Sequence, residues 1–451
     1  MELKNLRVAV HNLGCKVNSY ELDVMTQKLT QAGCVMVPFD QKADVYVINT
    51  CTVTNIADRK SRQMLHRAKK ENPDAVVVAV GCYVETDEGR IEKDAAIDLA
   101  IGNNRKGEIA ELLADYLTQK GSGKTLSGET LTDLTDHPAF ESMHLTTPGH
   151  TRAFLKIQDG CNQFCSYCII PYARGRIRSR DMDEILTEVQ GLAQSGVREV
   201  VLTGIHISSY GRDLGQDPEQ ALLELIRRIA LISGIERIRL GSLEPRIMTP
   251  DFVRGIAGVE KLCPHFHLSL QSGCDETLKR MNRHYTAEEY YEGVCRLREH
   301  FENPAITTDV IVGFPGETDA EFEESRAFVE KVNFYEVHVF KYSRRHGTVA
   351  DRMPDQMTEA QKAERSDVLL ALTHSQARAY RESFLGKREE LLLEEEKEVD
   401  GVTFLAGHTK RYVEGLVPAE GHEPGELVSG VFTGLSGDGL SVFLEEIDKI
   451  R

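Results

Sequence analysis

Residues 1–118 alternate short apolar runs rich in valine with longer segments in which apolar side chains recur at helical spacing. The runs predict strands and the longer segments predict helices, at 6–10, 43–48 and 75–80 and at 19–31 and 56–70, respectively. Strands that alternate with helices in this way favour a parallel sheet with helices on both faces. We therefore predict an N-terminal α/β sheet domain over residues 1–118.

The pattern changes twice more along the chain. Residues 119–150 are rich in turn-forming residues and predict a linker, whereas residues 151–383 return to strand–helix repeats. Six strands are predicted there, at 153–157, 199–205, 237–240, 265–270, 308–312 and 335–342. Six such units predict a parallel partial (βα)6 barrel. In residues 384–451, glycines separate short apolar runs, which is typical of a small antiparallel β-barrel.

The composition of the chain limits its expected location in the cell and its expected binding partners. The longest apolar stretches of the 451-residue chain are too short to predict a membrane span. Ten cysteines without the basic and apolar segments of a signal peptide favour reduced thiols and metal ligation over disulfides, so we expect a cytoplasmic protein. The net charge of −17 argues against a nonspecific nucleic-acid binder, and any RNA contact must come from local basic patches.

The densest group of candidate ligands is Cys161, Cys165 and Cys168, spaced C-x3-C-x2-C directly after the first strand of the predicted barrel. Three cysteines on a cubane iron–sulfur cluster leave one iron open to a small molecule. Zinc is the alternative, although no fourth protein ligand is adjacent in the sequence. The face of a barrel at the carboxyl ends of its strands is also where active sites lie.

Three further cysteines follow the three predicted strands of the N-terminal sheet: Cys15, Cys51 and Cys82. Ligands of open α/β sheets sit outside the carboxyl ends of the strands, so these thiols are expected to meet at one edge. The sequence therefore predicts a second cluster, again with one iron that the protein does not ligate.

A basic run follows the cysteine loop, in which Arg174, Arg176, Arg178 and Arg180 alternate with other residues. Four charges of one sign beside a reactive centre favour an anionic partner, and we predict that they contact RNA. A second basic group, on the helix predicted at 56–70, is equally well explained as a solvated charged face.

The C-x3-C-x2-C spacing resembles that of the radical S-adenosylmethionine (SAM) enzymes. In that family the open iron binds the amino and carboxylate groups of SAM, and an electron from the cluster splits the sulfonium to give methionine and a 5′-deoxyadenosyl radical. Tyr167 matches the family's aromatic residue near the adenine. Thr203 and Gly204 occupy the place of its glycine-rich contact to the SAM amine. Gly313 and Gly316 form a turn after the fifth barrel strand that would let backbone approach the adenine, or that only connects strand to helix.

Two more residues, Glu244 and Gln271, end predicted barrel strands and are expected to face the same pocket. Three histidines, His206, His265 and His267, are interpreted as structural or wall residues, with metal ligation as the alternative.

From end to end the chain resembles the radical SAM methylthiotransferases, which join a three-cysteine domain, a radical SAM barrel and an RNA-binding TRAM β-barrel. The matching stretches are LGCKVNSYE at 13–21, NTCTVT at 49–54, GCY at 81–83, QDGC at 158–161 and IIPYARG at 169–175. These sequences are similar to those of the branch that modifies threonylcarbamoyl-adenosine at position 37 of tRNA.

The resemblance implies two [4Fe-4S] clusters, SAM, a tRNA substrate, and separate donors of electrons and sulfur. Cys161, Cys165 and Cys168 would hold the SAM cluster, and Cys15, Cys51 and Cys82 the auxiliary cluster that presents sulfur. In the TRAM-like part, Lys410 and Arg411 would contact phosphate. The alternatives are methylthiolation of isopentenyl-adenosine or of a ribosomal-protein aspartate, and a non-catalytic metal-binding RNA protein.

Overall fold

The computed structural model describes residues 3–86, 88–91, 93–119, 134 and 138–450. Most of the predicted linker, at 120–133 and 135–137, lies outside the described residues. The helices α1 to α5 of the N-terminal part are Lys16–Gln31, Asn55–Glu71, Cys82–Thr86, Glu88–Ile91 and Ile109–Gln119. Its strands β1 to β5 are Arg7–Asn12, Val35–Met36, Val45–Thr50, Val76–Gly81 and Leu99–Ile101.

These five strands form one parallel sheet in the order β2-β1-β3-β4-β5. The three predicted strands are confirmed as β1, β3 and β4, and every residue of β3 and β4 is buried because they lie at the centre with helices on both faces. The sequence pattern misses β2 and β5 at the edges, since two or three residues are too few to show a period.

The central part contains seven strands, β6 to β12, at Ala153–Asp159, Arg178–Ser179, Glu199–Gly204, Arg237–Leu240, His265–His267, Ala305–Val312 and Glu336–Lys341. The helices α6 to α13 are Ile170–Ala173, Met182–Gln194, Pro218–Ala230, Pro250–Ala257, Asp275–Arg280, Ala287–His300, Asp319–Val332 and Glu359–Glu382. Short 3-10 turns lie at Lys106–Glu108, Ile207–Ser209, Arg212–Leu214, Pro245–Ile247 and Ala350–Arg352.

Six of these strands are parallel and form the predicted partial barrel. The run β6-β8-β9 continues into β10-β11-β12 through the parallel bridge between Leu243 and Leu268, and β7 is added antiparallel beside β6. The strand predicted at 265–270 is shorter than predicted, because β10 ends at His267. Beyond it the backbone ladder is interrupted, because the Leu270 N–H donates to the Thr308 side chain instead of to a backbone carbonyl.

The C-terminal strands β13 to β17 are Arg388–Val399, Val402–Thr409, Glu414–Pro418, Leu427–Leu435 and Val442–Lys449. They close a barrel in the order β13-β14-β15-β17-β16, which confirms the predicted small barrel. One pair, β15 with β17, is parallel and the other pairs are antiparallel. An odd number of strands requires this, since a closed ring can alternate direction throughout only when the number is even.

One hydrophobic core is continuous from the first sheet into the partial barrel. Helix α1 joins the two, because it packs on its own sheet and also contacts β6. The C-terminal barrel has its own core, to which Ala305 and Tyr335 of the partial barrel contribute. Within the described ranges, no helix combines the length and the hydropathy that a bilayer crossing requires.

Candidate active site

The structure brings together the three cysteines that follow β1, β3 and β4. Cys51 and Cys82 directly follow their strands, and Cys15 precedes the first residue of α1. Gly14 has a φ of +120°, and a Cβ there would lie 3.3 Å from the Cys51 Sγ, so the first loop passes directly over the second cysteine. Burial, together with the neighbouring Cys82 and Cys15, raises the pKa of Cys51 to about 12.

Two amide side chains fix this arrangement. Asn18, in the first turn of α1, donates to the carbonyls of Leu13 at 2.8 Å and of Thr50 at 3.0 Å, which ties the first cysteine loop to the end of β3. Its Oδ1 lies 3.7 Å from the Cys15 Sγ. Asn103 donates to the Cys82 Sγ at 3.6 Å.

Behind this triad lies a buried network of charges. Arg174 donates to the Cys82 Sγ at 3.2 Å and to the Asn18 side chain at 2.8 Å, and it also pairs with Glu21 at 2.9 Å and Asp159 at 3.1 Å. Lys106 and Lys156 complete the shell around Glu21. Burial by itself would raise the pKa of Glu21, but the three cations outweigh it and hold this pKa well below its usual range.

The structure contradicts the predicted RNA contact for three of the four arginines. Arg174, Arg178 and Arg180 are 0%, 4% and 1% exposed. Arg178 lies 3.7 Å from Asp159 and Arg180 pairs with Glu188, so their charges neutralise internal carboxylates. Arg176 alone of the four is exposed, with its guanidinium 4.5 Å from the centre of the Phe164 ring.

The cysteine loop after β6 holds Cys161, Cys165 and Cys168. It begins at Gly160, where φ is +68° and a Cβ would lie 1.8 Å from the Arg176 carbonyl oxygen, so only glycine fits. Burial raises the pKa of Cys161 to about 11, and the neighbouring Cys165 adds to the increase. The pKa of Cys168 is raised as well, by burial and then by Cys165.

A segment after α10 secures this loop. Asn282 donates to the carbonyls of Gln163 at 3.3 Å and Phe164 at 3.0 Å. Arg283 donates to the Cys165 Sγ at 3.3 Å and to the Ser269 carbonyl at 3.4 Å. Sequence reasoning missed Arg283 altogether. It also missed the roles of Asn18 and Glu21, which lie in the matching stretch 13–21 but contact partners distant in the chain.

The thiol environments fit iron–sulfur ligation. The raised pKa values favour protonated thiols, and a cation between the sulfurs would reverse this, because metal binding requires thiolates. In each triad an arginine also contacts a sulfur, Arg174 on Cys82 and Arg283 on Cys165, which suits a site with excess negative charge. Each triad thus has the donor set and the electrostatics that a cluster with an open iron needs.

The predicted SAM contacts lie at the carboxyl ends of the barrel strands. Thr203 and Gly204 end β8, and Gln271 adopts φ +69° where it bridges to Val310. Glu244 accepts from Gln163 of the cysteine loop at 3.3 Å and pairs with Arg246 at 2.6 Å. Burial would raise the pKa of Glu244, but His206 and Arg246 bring it down to about 2.

The remaining predicted adenine contacts adjoin the same loop. Tyr167 packs edge-on against Phe314, with ring centres 6.4 Å apart. Gly313 and Gly316 both have positive φ, but their N–H groups donate to Glu317 at 2.7 Å and to the Asp355 carbonyl at 3.1 Å. The turn therefore satisfies its own hydrogen bonds, which favours the strand-to-helix interpretation for these two glycines.

A cavity of about 550 Å³ connects the N-terminal sheet to the barrel. Cys15 and Lys16 line one side of it, and Thr203 and Gly204 line another. His265 and His267 line its wall, which agrees with their interpretation as wall residues. His267 lies close to Asp309 and His338, with 3.3 Å between the His267 Nε2 and an Asp309 oxygen.

Tyr412 of the C-terminal barrel also lines the cavity and stacks on His265, with ring centres 4.6 Å apart. The adjacent basic residues are only partly exposed. Arg411 is 3.5 Å from Glu389 and donates to the Glu302 carbonyl, whereas the Lys410 side chain makes no hydrogen bond or ion pair with any described residue. Lys410 is therefore the more available of the two for a phosphate.

A three-cysteine loop at the mouth of a parallel partial barrel defines the class of radical SAM enzymes. The family described as the radical SAM superfamily matches residues 155–329, and an uncharacterized protein family, UPF0004, matches residues 7–102. A radical SAM methyltransferase from Kitasatospora setae, TsrM, solved with cobalamin and a [4Fe-4S] cluster, shares this fold with a TM-score of 0.54. It is 17% identical, and the similarity covers 76% of each chain.

Relatives with higher sequence identity define the family within this class. The threonylcarbamoyladenosine tRNA methylthiotransferase MtaB of Bacillus subtilis is 40% identical over 412 residues, 90% of this chain and 89% of that protein. MtaB of Aquifex aeolicus is 41% identical over 391 residues, 87% of this chain and 93% of that protein. A tRNA-2-methylthio-N(6)-dimethylallyladenosine synthase of Moorella thermoacetica is 35% identical over 421 residues, 92% and 93% of the two chains. The chain belongs to the radical SAM tRNA methylthiotransferase family, which implies SAM and a [4Fe-4S] cluster.

Proposed function

We propose that the protein converts N6-threonylcarbamoyladenosine at position 37 of tRNA into its 2-methylthio derivative, with two [4Fe-4S] clusters and SAM. The observation that carries the proposal is the shared cavity, since Cys15 of one triad and Thr203–Gly204 of the barrel line the same 550 Å³ space. A base that enters this space lies between the residues that would hold sulfur and those that would hold SAM.

The chemistry explains why two cysteine triads are useful. An aromatic C–H is too weakly acidic for a side-chain base, so a cofactor must supply the reactive step while the protein positions the reactants. When bound, the cluster on Cys161, Cys165 and Cys168 would supply the electron that cleaves SAM, and the one on Cys15, Cys51 and Cys82 would supply the sulfur. An electron donor and a sulfur donor are required from outside the chain.

The chain's own residues hold these parts in place. Asn282 and Arg283 fix the loop of the first triad, and Arg174 and Asn18 connect the second triad to the barrel wall. Helix α1 carries Lys16 at its first residue and Glu21 one and a half turns later. Because Glu21 is clamped by two barrel residues, Lys156 and Arg174, the sulfur side of the cavity is rigidly attached to the SAM side.

The cavity's lining offers hydrogen-bonding partners for a polar group on N6 of the adenine. Its walls carry a lysine, three histidines, two carboxylates, a serine and two threonines, whereas Val17 and Phe340 are the aliphatic and phenyl side chains. The dimethylallyl reaction of the Moorella relative is the second candidate, supported by sequence similarity.

Nucleoside analysis of tRNA from a deletion strain tests the proposal. We expect the 2-methylthio form of threonylcarbamoyladenosine to disappear while threonylcarbamoyladenosine itself accumulates. Expression of the wild-type chain should restore the modification, and the Cys82→Ala chain should not. Loss of the 2-methylthio-dimethylallyl nucleoside instead would establish the second candidate. An unchanged nucleoside profile would contradict both.

A further inference from the structure

Lys16 is a cation without a counter-ion on the wall of the cavity. Among the described residues its ammonium makes no hydrogen bond and no ion pair, yet it lies beside Cys15 and faces into the barrel. It is also the first residue of α1, whose first turn contains no acidic residue, so the positive end of the helix adds to its charge.

The other cations around Lys16 have carboxylate partners. Two nearby arginines each have a carboxylate partner: Arg152 with Glu394 at 2.8 Å and Arg239 with Glu199 at 2.7 Å. On the opposite wall, Glu336 is paired with Arg381 at 2.5 Å, and an Asp309 oxygen lies 3.3 Å from the His267 Nε2. Of these cations, Lys16 alone has no carboxylate partner among the described residues.

We propose that Lys16 and the N-terminal turn of α1 form a subsite that binds the carboxylate of the threonylcarbamoyl group. This inference rests on the proposed function, because a threonylcarbamoyl group carries an α-carboxylate and a dimethylallyl group carries no charge. A partly buried cation next to a helix N-terminus is a suitable partner for such an anion. The hydrogen-bonding groups of the opposite wall, His338 and Ser242, remain for the polar atoms of the substituent.

A second role for Lys16 must be distinguished from this one. The same ammonium is adjacent to Cys15, so it would also stabilise negative charge on a cluster held there. Removal of the charge would then lower activity on every RNA, whereas a carboxylate subsite affects only an RNA with the carboxylate.

The test uses the anaerobically reconstituted holoenzyme and two anticodon stem–loop RNAs that differ at one group. One carries threonylcarbamoyladenosine and the other its carboxamide, in which the carboxylate is replaced by a neutral amide. We expect kcat/KM of the wild type to be about 10- to 100-fold higher for the carboxylate RNA. Lys16→Met should lose this preference through a fall on the carboxylate RNA alone, and Lys16→Arg should restore part of it.

Controls separate the possible failures. Lys42→Met, exposed in the loop before β3 and at the opposite end of the strands from the cysteines, should keep the preference. Lys16→Met should retain wild-type iron and sulfide contents and the same electron paramagnetic resonance spectrum of its reduced clusters.

An equal loss of activity on both RNAs, or a preserved preference in Lys16→Met, would overturn the subsite. Should Lys16→Met not fold, a wild type without preference would overturn it as well. A wild type that modifies neither RNA would instead refute the proposed function.

Discussion

The two cysteine triads reach the same set of donors by different routes. Cys161, Cys165 and Cys168 lie in one loop whose spacing is visible in the sequence, and that loop is held by hydrogen bonds from Asn282 and Arg283. Cys15, Cys51 and Cys82 meet only because three parallel strands end at one edge of a sheet.

The support behind the two triads differs as well. The loop is stabilised mainly by donors to backbone carbonyls and one sulfur, whereas the scattered triad lies against a cluster of fully buried charges centred on Glu21 and Arg174. A motif within one loop is held by hydrogen bonds to that loop, but a site assembled from distant segments needs a rigid connection between them. Variants should therefore affect the two triads separately.

The largest difference between the two triads is expected when Cys15, Cys51 and Cys82 are all replaced with alanine. Under our proposal this variant loses methylthiolation completely, because no sulfur-bearing group can be held. It should still cleave SAM to 5′-deoxyadenosine, which liquid chromatography measures directly. Cys34→Ala, a buried thiol that donates to the Leu3 carbonyl, is the matched control and should keep both activities. Full methylthiolation in the triple variant would show that the scattered triad has no role in sulfur transfer.

Arg174→Met tests whether the buried charges support the scattered triad. Removal of this guanidinium leaves Glu21 and Asp159 with fewer cations, and breaking a buried ion pair costs about 3–5 kcal/mol of stability. Urea unfolding should detect the loss, and iron analysis should show depletion of the N-terminal cluster before the other. The exposed Arg176→Met should change stability by less than about 0.5 kcal/mol. Equal stabilities of the two variants would contradict the network's role.

Glu21→Gln adds a pH dependence to the same comparison. The pKa of Glu21 is lowered in the folded protein, so its contribution to stability is present above the unfolded value near 4.5 and is lost as the pH falls toward the folded value. We expect the variant to be less stable at pH 7 by about 3 kcal/mol. The deficit should shrink below about pH 4, where unfolded glutamate is protonated. Urea titrations of cluster-free protein at both pH values measure it, and a constant deficit would exclude Glu21 ionisation as its cause.

The smallest effect concerns RNA. With three of the four arginines buried, Arg176 is the residue of that run that remains for a phosphate contact. Arg176→Ala should weaken tRNA binding by roughly 3- to 10-fold at low salt and reduce the salt dependence by about one ion. Arg254→Ala, exposed on the outer helix α9, removes the same charge elsewhere and should bind tRNA normally. Indistinguishable affinities for the two variants would remove Arg176 from the RNA surface.

The same contrast explains how much the sequence could predict. Strand ends and cysteine spacing are local features, so the parallel sheet, the six-stranded partial barrel and the six cysteines could all be read from the chain. Side-chain direction and long-range pairing are not local. The run of Arg174, Arg178 and Arg180 resembles an exposed basic patch until Glu21, Asp159 and Glu188 are brought to it by folding. Lys16 shows the opposite case, since its lack of a partner among the residues that the structure describes becomes evident only when its neighbours are known.

The most direct test of the account is the iron and acid-labile sulfide content of anaerobically reconstituted protein. Wild type should bind about eight irons, and the Cys161→Ala/Cys165→Ala/Cys168→Ala variant should keep about four, held by Cys15, Cys51 and Cys82. A decrease from about four irons to none would mean that the chain holds a single cluster, and the sulfur-insertion mechanism proposed here would be wrong.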